Sequence, residues 1–315
     1  MYKVEPDDEN IYYVGRWDKR QPGAYSTSWG GTYFKVNFSN TTIIRLHIGA
    51  SVNVYVSIDG VTRYYPSLQG VVDITPVLLH KGTHTLMVAT PYTDQCLVFQ
   101  GMSLDDQARI SLPSTGKRMI EYIGASIIAG HLLPRYALSD YAWLAAERLG
   151  YEHIQIAQSG MGLVDHWPGG SYIANGAGMS QQYFKLKHAD HDDDTLYDFF
   201  DQSPDIVIIH IGTNDAVFGV PADRFQYEYT RFLGLIRQQY PVARLYAQRL
   251  FDGTYAQEIQ QSVRSLQAAG DQKVHYIDTS GWLQELDYSD GVHPNESAHI
   301  KLSKRLVAVL EAKNR

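Results

Sequence analysis

Near residues 112–117 the texture of this sequence changes, and the change restricts the possible folds more than any single motif does. Before it, from residue 11 to about residue 112, short stretches alternate apolar and polar residues with a period of two: TYFKVNF, TIIRLHI, VNVYVSI, HTLMVAT and CLVFQGM. That alternation, rich in Val, Ile, Thr and Tyr, predicts half-buried strands. The pieces between them, QPG, FSN, IDG and HKG, are turn formers. Many short strands without a helical pattern predict an antiparallel β-sandwich of jelly-roll type over residues 1–115.

After SLPSTGKR, apolar runs of five or six residues alternate with longer amphipathic stretches. MIEYIG, HIQIA, IVIIHIG, ARLYAQ and KVHYID read as five buried strands. In DRFQYEYTRFLGLIRQQY, Phe225, Tyr229, Phe232 and Ile236 fall on one helical face. NESAHIKLSKRLVAVLEAK repeats the pattern with Leu302, Leu306, Val309 and Leu310, and Asn295 fits as its N-cap. Near-continuous apolar strands separated by helices mean a parallel sheet covered on both faces. Residues 116–315 are therefore expected to form a three-layer α/β/α domain with a parallel five-stranded sheet. Ligands of such sheets bind beyond the carboxyl ends of the strands, so the loops after Gly124, Ala157, Ile211 and Ile277 are where chemistry is sought.

The first loop, GASIIAG, offers Ser126 directly after a strand, with Gly124 permitting a sharp turn. A serine there can be a nucleophile near a helix N-terminus, where its own N–H faces a developing anion, or simply a cap. The second, AQSGMGLVDHW, holds two glycines whose N–H groups a ligand can approach closely. Gly162 is the preferred oxyanion donor and Gly160 the alternative. Without GxGxxG or GK[ST], phosphate binding is a poor reading. In the third, IGTNDAVF, the Asn214 amide can point at an oxyanion and Asp215 can brace the loop, although either residue could serve only an Asx turn. The fourth, LDYSDGVHPNESAH, sets Asp290 and His293 three residues apart on a tight turn. That spacing lets the carboxylate fix the imidazole tautomer, leaving the other ring nitrogen free to take a serine proton. The end of the fourth strand, YAQRLFDG, offers no comparable group. Together the loops supply nucleophile, base, orienting acid and oxyanion donors, the set needed for acyl transfer through a tetrahedral intermediate.

The order of these residues resembles the SGNH or GDSL hydrolase superfamily over residues 118–315. IGASIIAG, AQSGMG, IGTND and SDGVHP stand as its first, second, third and fifth blocks. The β-rich first part, with GRWD and SWGGTYFKVNF, resembles carbohydrate esterase family 2, in which a jelly roll precedes an SGNH domain. The resemblance implies a serine esterase that removes acetyl groups from xylan- or glucomannan-derived oligosaccharides. Ser126, Asp290 and His293 would form the triad, and Ser126, Gly162 and Asn214 the oxyanion hole; no metal or organic cofactor would be needed. Some members orient the histidine with a backbone carbonyl instead of an acid, and Asp290 points to a complete triad. Two departures stand out: Ala125 occupies the place of an Asp that commonly braces the nucleophile loop, and Ala157 that of an Asn. Asp215, Ser159 or an ordered water could supply the bracing. Two other readings remain open: an SGNH esterase, lipase or thioesterase acting on non-carbohydrate esters, and an inactive carbohydrate-binding protein.

Composition narrows the partners. A formal charge of −7 over 315 residues leaves no basic footprint for nucleic acid or anionic lipid. No apolar run reaches the roughly 18 residues a membrane span needs. The stretch MYKVEPDDENIYY, with four acids, is no secretory signal, and a cytoplasmic protein is expected unless a leader preceded it. Cys96, the single cysteine, excludes an internal disulfide and is expected to be a buried apolar thiol. A homo-oligomer is compatible with this composition. HADHDDD, residues 188–194, reads as a solvated surface run rather than a metal site. His131 and Trp167, just after the first and second blocks, lie where a sugar could stack, while Trp167 could equally pack against the sheet.

Overall fold

The computed structural model describes residues 1–76, 79–93, 95–116, 118–191 and 193–312. Lys117 of the boundary segment, Asp192 of the HADHDDD run and Lys313 of the last helical stretch lie outside the described residues. The chain divides into two units, Met1–Thr115 and Gly116–Arg315.

The first unit consists of strands and turns, with no helix among its described residues. Its strands are β1 (Tyr2–Val4), β2 (Tyr12–Val14), β3 (Tyr25–Thr27), β4 (Tyr33–Ser39), β5 (Ile44–Ile58), β6 (Val61–Asp73), β7 (Thr83–Ala89), β8 (Leu97–Leu104) and β9 (Arg109–Ser111). Every pairing is antiparallel. β5 is the strand that folds the layers over. Its first half pairs with β8 and its last four residues pair with β7, and the register shifts between Ile48 and Val54 lie between these two stretches. Irregularities of this kind bend a strand and increase its twist, which lets one strand serve two layers. The alternation seen in the sequence is then read out as burial. Phe34, Val36 and Phe38 of β4 and Leu86 and Val88 of β7 are buried, and Phe34 and Phe99 pack with ring centroids 4.3 Å apart. The nine strands, linked in one hydrogen-bonded sheet, thus fold over as an all-β sandwich around one core. Cys96 is half-buried rather than inside, because it lies just before β8 begins.

The second unit carries the five expected strands, β10 (Met119–Gly124), β11 (Glu152–Ala157), β12 (Ile206–His210), β13 (Arg244–Gln248) and β14 (Val274–Ile277). All are parallel, in the order β11-β10-β12-β13-β14. The main helices are α1 (Tyr141–Leu149), α2 (Met179–Gln182), α3 (Thr213–Val217), α4 (Ala222–Gln239), α5 (Ala256–Ala268) and α6 (Glu296–Ala312). α1 and α6 pack together with Ile120, Tyr122, Ile206 and Ile208 in one core, while α4 packs against α5 and α2. Phe225, Tyr229, Phe232 and Ile236 are fully buried, as the periodicity of α4 requires. Truncating one of its phenylalanines to Ala would cost about 3–5 kcal/mol. Asn295 caps α6, its Oδ1 accepting the Ala298 N–H at 3.0 Å.

This strand order has one point of reversal. The chain leaves β10 for β11 on one side, then returns past β10 to β12 on the other. The connections diverge there, and a crevice opens at the carboxyl ends of β10 and β12.

Candidate active site

Two groups stand at that crevice because their strands end there: Ser126 after β10 and Asn214 after β12. Gly124 ends β10 with no room for a side chain, since a Cβ would lie 2.8 Å from the His210 carbonyl oxygen of β12. Ser126 opens a run of turns rather than a helix. Ala129 N–H donates to the Ala125 carbonyl and His131 N–H to the Ser126 carbonyl. Gly130, at φ +69°, then redirects the chain before Pro134, so the first true helix waits until Tyr141. Ser126 therefore sits on one tight helical turn and stays half-buried.

Its hydroxyl lies 2.8 Å from His293 Nε2, and His293 Nδ1 lies 2.7 Å from Asp290 Oδ2. The ionised carboxylate can only accept, so Nδ1 carries a proton and, in the neutral ring, Nε2 is the acceptor for the serine hydroxyl. Asp290 is fixed by its own turn, its Oδ1 accepting the N–H groups of Val292 at 3.0 Å and His293 at 2.8 Å. Desolvation pushes its pKa up, but the His293 N–H, the His293 ring and the Val292 N–H outweigh that and hold it at about 2. The Asp290 carboxylate is thus ionised at neutral and mildly acidic pH.

The second and third loops are held together by α3. Asp215, almost fully buried, accepts the N–H of Leu163 at 2.8 Å on one oxygen and that of Val164 at 2.9 Å on the other. Burial raises its pKa to about 6 against the pull of those two N–H groups. The Asn214 amide donates to the Met161 carbonyl at 2.9 Å, which leaves its second N–H for a ligand. Gly162 rides directly over the Asp215 carboxylate, where a Cβ would come within 3.1 Å of both oxygens. Gly160 acts differently, making the turn at φ +83°. Neither the Ser126 nor the Gly162 N–H donates to any other described residue. Asp215 braces this loop and not the one carrying Ala125, and the Ser159 hydroxyl is buried without a partner among the described residues.

His131 packs its ring edge-on against His293, with centroids 4.8 Å apart. Burial, and then the neighbouring His293, lowers its pKa. Trp167 is half-buried and donates its indole N–H to the Phe218 carbonyl at 2.9 Å; no described contact joins it to Ser126, Asp290 or His293. Sequence reasoning passed over the end of β13. There Phe251 and Asp252 join Ile127, Thr213, Val217 and Val292 around a cavity of about 300 Å³, Ile127 being the residue after Ser126 and Val292 lying on the Asp290–His293 turn. Their position at a strand end was the available signal, obscured because the segment carries neither nucleophile nor base. Tyr172 was missed as well: it is 62% exposed, abuts Gly160 and meets Phe218 edge-on at 4.6 Å.

The HADHDDD run is less exposed than its composition suggests. His188 is only 1% exposed and stacks edge-on with His191, and burial drives its pKa down to about 3. Nearby aspartates are taken by Lys185, Lys187 and Gln158. Among the described residues no group of three His, Cys, Asp or Glu side chains could hold a metal ion. Among them, too, no helix is long and apolar enough to cross a membrane.

Known proteins resemble this chain in sequence and fold. Residues 122–300 match the GDSL-like Lipase/Acylhydrolase family, and residues 13–113 match the carbohydrate esterase 2 N-terminal family. The cellulase/esterase CelE of Acetivibrio thermocellus is 25% identical over 98% of this chain and 40% of its own length. An acetylxylan esterase / glucomannan deacetylase of Cellvibrio japonicus is 26% identical over 63% of this chain and 58% of its own. The chain thus spans less than two thirds of either curated relative. A family two carbohydrate esterase from Clostridium thermocellum, solved with cellohexaose, superimposes with a TM-score of 0.82 over 96% of this chain and 98% of that one, at 22% identity. With a match running over more than half its length, the chain belongs to the GDSL-like lipase/acylhydrolase family and carries a carbohydrate esterase 2 N-terminal region ahead of the hydrolase unit.

Proposed function

We propose that the protein is a serine esterase that removes O-acetyl groups from carbohydrates, with oligosaccharides derived from xylan or glucomannan as substrates. The observation that carries this reading is the unbroken line from Asp290 through His293 to Ser126, with steps of 2.7 and 2.8 Å. In the reaction, His293 Nε2 takes the Ser126 proton as Oγ attacks the ester carbonyl. The oxyanion is received by the N–H groups of Ser126 and Gly162 and the free N–H of Asn214. His293 returns the proton to the sugar oxygen as the alcohol leaves, and water repeats the sequence on the acyl-serine. These side chains complete the cycle without a metal or organic cofactor.

The sugar specificity is supported by the match to the carbohydrate esterase 2 N-terminal family and by the named activity of the Cellvibrio japonicus relative. The exposed Tyr172 ring beside the oxyanion loop offers a face on which a pyranose can stack, and both it and Trp167 rest on Phe218. Action in the cytoplasm on imported oligosaccharides suits a chain whose one cysteine forms no internal disulfide, and fractionation of expressing cells tests it. The activity is tested by acetate release from defined acetylated xylo- and manno-oligosaccharides, alongside aryl esters of longer acyl chains. Acetate release by wild type and not by Ser126→Ala is expected; faster turnover of the long-chain esters would replace the carbohydrate reading.

A further inference from the structure

The nucleophile loop lacks the usual bracing side chain, because position 125 is an alanine. Yet the loop contains a buried polar group that must be satisfied. Ile128 is fully buried, and its carbonyl, in the middle of the Ser126 turn, accepts no backbone hydrogen bond among the described residues. A buried carbonyl left unpaired is costly and rare. Its partner comes from the neighbouring strand: the Gln155 side-chain amide of β11 donates to the Ile128 carbonyl.

Gln155 is itself held in place. It is only 2% exposed, and its Oε1 lies 2.8 Å from His153 Nε2. A carboxamide oxygen can only accept, so His153 carries its proton on Nε2, which leaves the Gln155 NH2 for the loop carbonyl and the buried Asp140 carboxyl. The His153 ring is clamped in turn between Tyr122, at 5.1 Å, and Trp143, at 5.2 Å. Strand pairing fixes the rest, since Gln155 lies opposite Tyr122 in the β10–β11 register.

We propose that Gln155, oriented by His153, is a positioning residue that holds the Ser126 turn in its reactive geometry and takes the part left open by Ala125. This rests on Ser126 being the nucleophile. Gln155→Met keeps the bulk of the side chain and removes its donor. Misplacing a reacting atom by about 1 Å can cost up to 10²-fold. We therefore expect kcat per reactive serine to fall about 10- to 100-fold, with KM within about twofold of wild type.

A fluorophosphonate that labels the active serine counts reactive sites in each preparation, so a variant that is merely less stable shows fewer sites but unchanged kcat per site. His153→Phe preserves the ring packing, removes the donor to Gln155, and should lower kcat per site in the same direction by a smaller factor. It decides the matter if Gln155→Met does not fold. Wild-type kcat per labelled serine in the folded variants overturns the proposal. Absence of Ser126 labelling in the wild type would instead overturn the serine-esterase reading beneath it.

Discussion

In the proposed reaction the turn bearing Asp290 and His293 and the loop bearing Gly162 work together, yet they are built from opposite materials. The turn is self-sufficient: Asp290 reaches the His293 ring and two backbone N–H groups within three residues, on a surface where the carboxylate is largely exposed. The Gly162 loop has one turn bond of its own, from the Met161 N–H to the Gln158 carbonyl, and takes the rest of its hold from elsewhere. Its shape comes from Asp215 and Asn214, more than fifty residues away and buried. A short-range device can be exposed because its geometry depends on few neighbours. A long-range one must be buried, since only a packed interior keeps distant segments in register.

The contrast is first tested where both regions meet. Ser126→Ala removes the atom on which both act, and turnover should fall by about 10⁶-fold, with His293→Ala close behind, because triad members act as a unit. Acetate release under single-turnover conditions measures it, and a residual rate within about 10²-fold of wild type would sink the assignment. Asp290→Asn comes next. Among the described residues, His293 Nδ1 finds its partner in Asp290 alone, so no backbone carbonyl takes over, and a loss of about 10⁴-fold in kcat is expected, as for a triad acid that sets the tautomer. A loss of only a few-fold would mean that the turn orients the ring without its acid. Asn214→Ala probes the long-range side and should lower kcat by about 10²–10³-fold while KM stays nearly unchanged.

How much of this could be read in advance follows the same division. The five parallel strands, the apolar faces of α4 and α6 and the Asp290–His293 turn depend on spacings of two to four residues, and the sequence displays them openly. The β5 strand that pairs with both β7 and β8, the hold of Asp215 on Leu163 and Val164 and the cavity beside Phe251 depend on segments that meet only after folding. His188 shows the reverse error: polar neighbours suggested a solvated run, but packing against His191 buries it. Composition reports which residues are near in the chain and is silent on what covers them.

Two pH experiments separate the turn from the loop. Asp290, held at about 2, stays ionised from about pH 4 upward, so no inflection of kcat/KM in that range should belong to it, and an inflection there that Asp290→Asn removes would overturn this.

The smallest effect belongs to Asp215, and it carries the opposite sign for stability. A carboxyl whose folded pKa, about 6, exceeds its unfolded value, about 3.9, binds more protons in the native state between those limits. Its contribution is therefore present in full below about pH 4 and is lost as pH rises through about 6. Asp215→Asn abolishes that dependence but cannot accept both N–H groups, since one carboxamide atom is itself a donor. Urea unfolding of wild type and variant at several pH values should show the wild type losing stability relative to the variant between about pH 4 and 6. The variant's kcat should drop about tenfold as Gly162 shifts from the oxyanion, well short of the Asn214→Ala loss. A parallel pH dependence in both proteins would mean that Asp215 is not the group that titrates. An unchanged kcat would mean that the Gly162 loop keeps its shape without its distant anchor, and the contrast with the Asp290 turn would collapse.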